Sequence, residues 1–294
     1  MIVVYQMAKV ASMAWVESAR PAAKLAGTPP AHVHFLNERN LRIIETILAI
    51  PPPDNTFINL LPVRSVLRQG IKGNVRISDA RKRGQQIRVI TGMRDPVARS
   101  LSLLSFFADF SGHIGRSLSA RDGASADHVC AVLGEFWRLV LAGTVPRGSF
   151  EQLLCHMIGT YRTWFSEELN AIFDLDIFSG PFSASSGMQR LHGGGVEVLA
   201  YRSEDLAPGA PARRALFDAA QAFLGTPAVA LPEVNTAATR RSYPLYTQVR
   251  ERFRLPLAML DEIYDAPVVR HFYGVEEIAA FKARWQAHSE SSSP

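Results

Sequence analysis

The 294-residue chain is 47% hydrophobic and 20% charged, which supplies a sizeable core for one domain over residues 1–285. Its 32 basic and 27 acidic residues leave a net charge of +5, which favours anionic ligands. The basic residues are scattered apart from Arg81-Lys82-Arg83 and Arg240-Arg241, which argues against a nucleic-acid partner. Cys130 and Cys155 have no CxxC spacing and point to neither a disulfide framework nor a zinc site, and no metal is expected elsewhere.

Residues 2 to 6 predict a short buried strand that opens directly, without the basic region and cleavage site of a signal peptide. No apolar run approaches about 18 residues, so the expectation is a cytoplasmic protein without a membrane span. The loop Met7 to Ser12 leads into a helix over 13–25, which Pro21 is expected to end or kink and Gly27 to close. A strand over 31–36, a helix over 38–49 and the Pro51-Pro52-Pro53-Asp54-Asn55 break follow. Ile87 to Thr91 reads as a strand running into Gly92-Met93-Arg94-Asp95-Pro96, where Asp95 caps and Pro96 opens a helix ending near Phe107. Residues 109–126 read as a mobile insertion, and 129–142 and 150–173 as long helices. The segments 187–191 and 196–201 read as a hairpin turning on His192-Gly193-Gly194-Gly195. Helices are expected at 210–224, 245–254, 257–264 and 275–285, before a disordered tail over 286–294. The rhythm is that of an α/β protein, a parallel sheet flanked by helices with a mainly helical C-terminal half.

Two strand-to-helix turns carry the chemistry. Such a turn aims backbone N–H groups and the positive end of a helix dipole at one spot, where phosphate or sulfate binds. The first turn adds Lys9 and Ser12. The second has Arg94 at the strand end, with Arg99 and Ser102 three apart on one helix face. The nucleotide-triphosphate motif GxxxxGK[ST] is absent. His32 and His34, two apart on a strand, share a face and form a candidate general base. His128, His156 and His271 read as structural, and Glu204-Asp205 as a strand-end cap able to orient basic residues.

Lys9-Val10-Ala11-Ser12-Met13 resembles the 5′-phosphosulfate loop K-x-G-[ST]-[ST] of the sulfotransferases. Arg94-Asp95-Pro96-Val97-Ala98-Arg99-Ser100-Leu101-Ser102 resembles their 3′-phosphate motif R-x-P-x-x-R-x-x-S. With Trp164 to Leu169, Asp176 to Phe178 and Tyr201 to Leu206, these stretches resemble the bacterial branch of capsular-polysaccharide sulfotransferases, intermittently from residue 2 to about 285. The resemblance implies a P-loop-like fold and transfer of a sulfuryl group from PAPS (3′-phosphoadenosine 5′-phosphosulfate) to a hydroxylated small molecule or saccharide, releasing 3′,5′-ADP without a metal. It implies that Lys9 meets the leaving oxygen and that the backbone of Val10, Ala11, Ser12 and Met13 cradles the donor. Arg94, Arg99 and Ser102 would then hold the 3′-phosphate, and Arg240 and Arg241 would close over the nucleotide. Ala31-His32-Val33-His34-Phe35 resembles the E-V-H-F run of the heparan 3-O-enzymes, with His32 where their Glu stands. Two departures matter: Ala11 replaces the loop glycine and Met13 a hydroxyl residue, and both point to weakened donor binding or turnover. A catalytically degenerate nucleotide-binding relative and a P-loop kinase are the alternatives.

Overall fold

The structure, a computed structural model, describes residues 1–49, 61–110, 125–144, 150–226 and 243–287. Ile2–Tyr5 (β1), Ala31–Val33 (β2), Ile87–Met93 (β3), Met188–Gly193 (β4) and Val196–Arg202 (β5) form one sheet in the order β2-β1-β3-β5-β4. β1 pairs in parallel with β2 and β3, β3 pairs in parallel with β5, and β4 runs antiparallel along β5. Every residue of β1 is buried, as required of a strand covered on both faces. Its side chains alternate: Ile2 and Val4 enter a smaller core, Val3 and Tyr5 a larger one.

Among the described residues the α-helices longer than one turn are, in chain order, Ser12–Leu25 (α1), Glu38–Leu48 (α2), Leu61–Lys82 (α3), Pro96–Phe110 (α4), Ala126–Ala142 (α5), Phe150–Gly159 (α6), Arg213–Leu224 (α7), Tyr243–Arg252 (α8), Leu257–Tyr264 (α9), Pro267–Phe272 (α10) and Val275–Trp285 (α11). α1 and α7 close the smaller core through Trp15, Ala19, Leu216 and Phe223. α2 to α6 and the C-terminal helices build the larger one. About 62% of the structure is helical around the five strands, an α/β architecture.

α3 lies along the edge strand β2. A Cβ on Gly70 would fall 2.5 Å from the Phe35 carbonyl oxygen, and one on Gly73 would fall 2.6 Å from Val33 Cγ1. Arg76 Nη2 donates to the Pro29 carbonyl, and Asn74 Nδ2 donates to the Leu36 carbonyl at 2.7 Å. The helix therefore runs antiparallel to β2 and packs over it on the side of the larger core.

Several sequence expectations are corrected. Pro21 does not end α1, which runs on to Leu25 as its expected span had it, because Ala19, Ala22 and Ala23 bury against the sheet and outweigh one missing hydrogen bond; Gly27, at φ 66°, closes it. β2 stops at Val33 rather than 36, since the next N–H groups turn away to a carboxylate described below. The helix expected over 150–173 breaks at Gly159, and the chain resumes in a π-helical turn, Phe165–Asn170. α3 and α10 were not anticipated. The hairpin of β4 and β5, turning at Gly194 and Gly195, agrees with the glycine signal. Residues 111–124 of the expected insertion, and most of the expected tail, lie outside the described residues, while 109–110 end α4 and 126 begins α5.

Candidate functional site

β1 and β3 are neighbours, yet the chain leaves them in opposite directions, towards β2 from β1 and towards β5 from β3. Crevices at the carboxyl ends of such strands are where open α/β sheets bind ligands. Both strand-to-helix turns singled out in the sequence fall there. In the first, Lys9 and Ala11 take left-handed backbone conformations at φ 71° and 66°, and Ala11 is the N-cap of α1. An alanine thus adopts the conformation that glycine takes freely, at a cost of roughly 1–2 kcal/mol. Tyr201 holds the loop from below: its hydroxyl lies against the Val10 carbonyl and 2.8 Å from Gln6 Oε1. A phenol has one proton, and Gln6 Nε2 has no other partner, so the consistent network turns the amide over. Gln6 then donates to Tyr201, and Tyr201 donates to Val10. Gly92 makes the room, since a Cβ there would sit 2.6 Å from the Tyr201 ring.

The second turn locks onto the first, with Arg94 Nη1 donating to the Lys9 carbonyl at 3.1 Å. Asp95 caps α4 by accepting from Val97 N at 3.0 Å. Its buried carboxylate also accepts from Tyr264 Oη at 2.6 Å and Trp285 Nε1 at 2.8 Å, which ties the C-terminal helices to the turn. Glu204 receives the Asp95 N–H at 2.9 Å and the Tyr273 hydroxyl at 2.8 Å. Burial holds the pKa of both carboxyls above the ordinary value, and the hydrogen bonds they accept and the Arg94 charge offset this only in part. Ser12 is buried in the first turn of α1, and Ser102 is half-buried on α4.

Arg99 has a different place from the one its motif position implies. It is 1% exposed, its Nη2 donates at 2.8 Å to the carbonyls of Met157 and Ile158 near the end of α6, and burial lowers its pKa to about 10. In this conformation it binds a helix end, not an outside anion.

The histidine pair stands at the end of β2. His34 Nδ1 lies 2.8 Å from the Gln6 carbonyl, an acceptor, so Nδ1 carries the proton and Nε2 the lone pair that a base needs. Trp164 Nε1 fixes the same residue by donating to its carbonyl at 2.9 Å. Burial lowers the His34 pKa, and the nearby Lys9 charge lowers it further. His32 packs edge-on at 4.7 Å between ring centroids, with Nε2 buried and unpartnered, and burial takes its pKa down to about 3. Of the two, His34 has the geometry of a base.

Glu168 is the central residue that sequence reasoning passed over. From the π-helical turn its fully buried carboxylate accepts from Leu36 N at 2.8 Å, Asn37 N at 2.9 Å, Asn40 Nδ2 at 2.5 Å and the Tyr5 hydroxyl. It thereby joins the end of β1 to the turn that follows His34 and to the start of α2, a position favoured for an anion. Trp164-Phe165-Ser166-Glu167-Glu168-Leu169 was visible as a run, but nothing in it distinguishes the inward Glu168 from Glu167, which pairs with Arg39 on the surface.

Lys9, Val10, Ala11, Ser12, Met13 and Arg94 therefore lie beyond the carboxyl ends of β1 and β3, with His34 just past the end of β2 and His32 within it. Arg240 and Arg241 lie outside the described residues. Among the described residues no group of three or more His, Cys, Asp or Glu side chains is placed to hold a metal ion, and no helix is long and apolar enough to cross a membrane. Comparison of the chain with protein-family models, with curated proteins and with solved structures finds no match.

Proposed function

We propose that the protein is a sulfotransferase that moves a sulfuryl group from PAPS to a hydroxyl of a saccharide or related acceptor. The observation that carries this reading is the joining of the two turns. Lys9 and Arg94, far apart in sequence, meet through one hydrogen bond at the carboxyl edge of β1 and β3, with His34 alongside. PAPS supplies a sulfuryl group on a good leaving group, so positioning and charge can provide most of the catalysis. In this reading His34 Nε2 takes the proton of the acceptor hydroxyl as its oxygen bonds to sulfur, and Lys9 meets the negative charge on the departing phosphate oxygen. The Val10 to Met13 backbone lines the 5′ side, Arg94 and Ser102 serve the 3′-phosphate, and Arg99 anchors α4, the helix that carries Ser102, to the end of α6.

Calorimetric titration tests the donor assignment. 3′,5′-ADP should bind at least about tenfold tighter than 5′-AMP, since a charge-assisted phosphate contact contributes about 1.5–3 kcal/mol, and EDTA should not matter. Equal affinities, or binding that is lost on chelation, overturn it. Preference for ATP with magnesium favours the kinase alternative. Tight 3′,5′-ADP binding without product from PAPS over a panel of acceptors favours the degenerate relative.

A further inference from the structure

α3 presents a face that the proposed reaction does not use. Its 22 residues carry Arg64, Arg68, Lys72, Arg76, Arg81 and Lys82 against a single acid, Asp79. At about 100° per residue, Arg64, Arg68, Ile71, Lys72, Val75, Asp79 and Lys82 fall in one stripe, which runs along a helix roughly 33 Å long. All seven are exposed. Ile71 and Val75, one turn apart in its middle, are 53% and 57% exposed. The opposite face is committed to the fold through Gly70, Gly73, Ile77 and Ala80.

The cations of this stripe are also unmatched. Some exposed arginines elsewhere do sit beside a carboxylate, as Arg39 does with Glu167 and Arg42 with Glu38. Among the described residues Arg64, Arg68, Lys72 and Lys82 take part in no ion pair. Close to this helix, the turn that Arg76 holds through Pro29 follows Lys24 and the 82% exposed Leu25.

We propose that the exposed face of α3 docks on an anionic lipid bilayer. Unpaired cations along one side match a negatively charged surface, and each is worth about a fivefold change in affinity there. The cations alone would equally suit a soluble polyanion. Ile71 and Val75 favour the bilayer, because aliphatic side chains at the centre of a basic stripe gain by entering the boundary between headgroups and acyl chains. α3 packs through Gly70 against Phe35, the residue after His34, so docking sets the candidate site beside the membrane surface. The surface does not depend on the sulfotransferase reading, and its test needs no nucleotide.

Flotation with vesicles is the test, using pure phosphatidylcholine and an equimolar mixture of phosphatidylcholine and phosphatidylserine. The protein should float with the mixed vesicles and not with the neutral ones. Arg68→Gln with Lys72→Gln should weaken binding about 25-fold, the product of two charges. Ile71→Ala with Val75→Ala should weaken it about tenfold while leaving the retention of the protein on soluble polyglutamate unchanged. Both pairs keep good helix formers at exposed positions, and unchanged melting curves verify the fold. Failure to bind the mixed vesicles, equal binding to neutral ones, or full vesicle binding by the Ile71/Val75 variant overturns the proposal. The last result would assign the stripe to a soluble polyanion.

Discussion

At the scale of single residues, the site turns on how His34, Lys9 and Ala11 are held. A base works in its neutral form, and burial with the adjacent Lys9 charge keeps the His34 pKa below its ordinary 6.5. Turnover should therefore rise with pH through a midpoint below 6.5 and level off above it. His34→Asn should remove that acidic limb with nucleotide affinity unchanged. His32, at about 3, has finished titrating before this window, so a limb lost instead in His32→Asn would move the base. Lys9→Ala should lower turnover by about 10²–10³ and shift the midpoint upward, because one change removes both the cation at the leaving oxygen and the repulsion on His34. An unshifted midpoint would show the two groups to be uncoupled. Ala11→Gly should stabilise the fold by about 0.5–1 kcal/mol in denaturant melts. Relief of the left-handed strain at φ 66° exceeds the extra freedom gained by the unfolded chain. Lys9 and Arg94 stood out in the sequence because each follows a strand, and His34 because it shares a strand face with His32; that His34 lies just past the end of β2 is known only from the structure. The buried role of Arg99 was not legible, since motif spacing says which residues share a helix face but not what packs against that face.

At the scale of elements, the two glycines of α3 explain both its packing and its invisibility to periodicity. A helix normally announces itself by large apolar residues at helical spacing. Here Gly70 and Gly73 take two inward positions so that the backbone can approach β2 closely, and the apolar stripe thins out. Gly70→Ala should cost about 1–2 kcal/mol despite the gain in helix propensity. The added methyl meets the Phe35 carbonyl, backbone that yields little, as well as Leu41. Gly73→Ala meets only the side chains of Val33 and Leu36 and should cost less. Equal melting midpoints for the two variants would show that α3 slides freely on the strand. The π-helical turn belongs to the same scale. Its wider winding puts Glu168 inward beneath α2, and no sequence period marks such a turn.

At the scale of the whole molecule, buried histidines make stability depend on pH. His156, with Nε2 buried and unpartnered, has its pKa lowered by burial to about 4, below the unfolded value of 6.5. A depressed pKa contributes stability that is present above about 6.5 and is lost as pH falls towards 4, because only the unfolded chain takes up the proton. Between pH 7 and pH 5 this amounts to about 2 kcal/mol. Asp95, Glu168 and Glu204 act in the opposite sense: their raised pKa values contribute stability below the ordinary carboxylate range that is lost as pH rises through the folded values. The difference between proteins isolates the histidine. His156→Gln should flatten the fall in stability from pH 7 to pH 5 by about 2 kcal/mol in urea melts at the two pH values, and an unchanged slope would refute the assignment.

The sequence by itself determined the α/β alternation, the two strand-to-helix turns and the glycine hairpin, because each depends on neighbours within about ten residues: alternation, capping, a missing Cβ. The tertiary structure decided the rest. Only the sheet order brings Lys9 to Arg94 and sets His34 beside them, and only the packing of α6 takes Arg99 out of reach while Glu168 closes the turn after His34. These outcomes follow from burial across separations of 58 to 132 residues, where a polar group must find its partner on whatever element lies opposite.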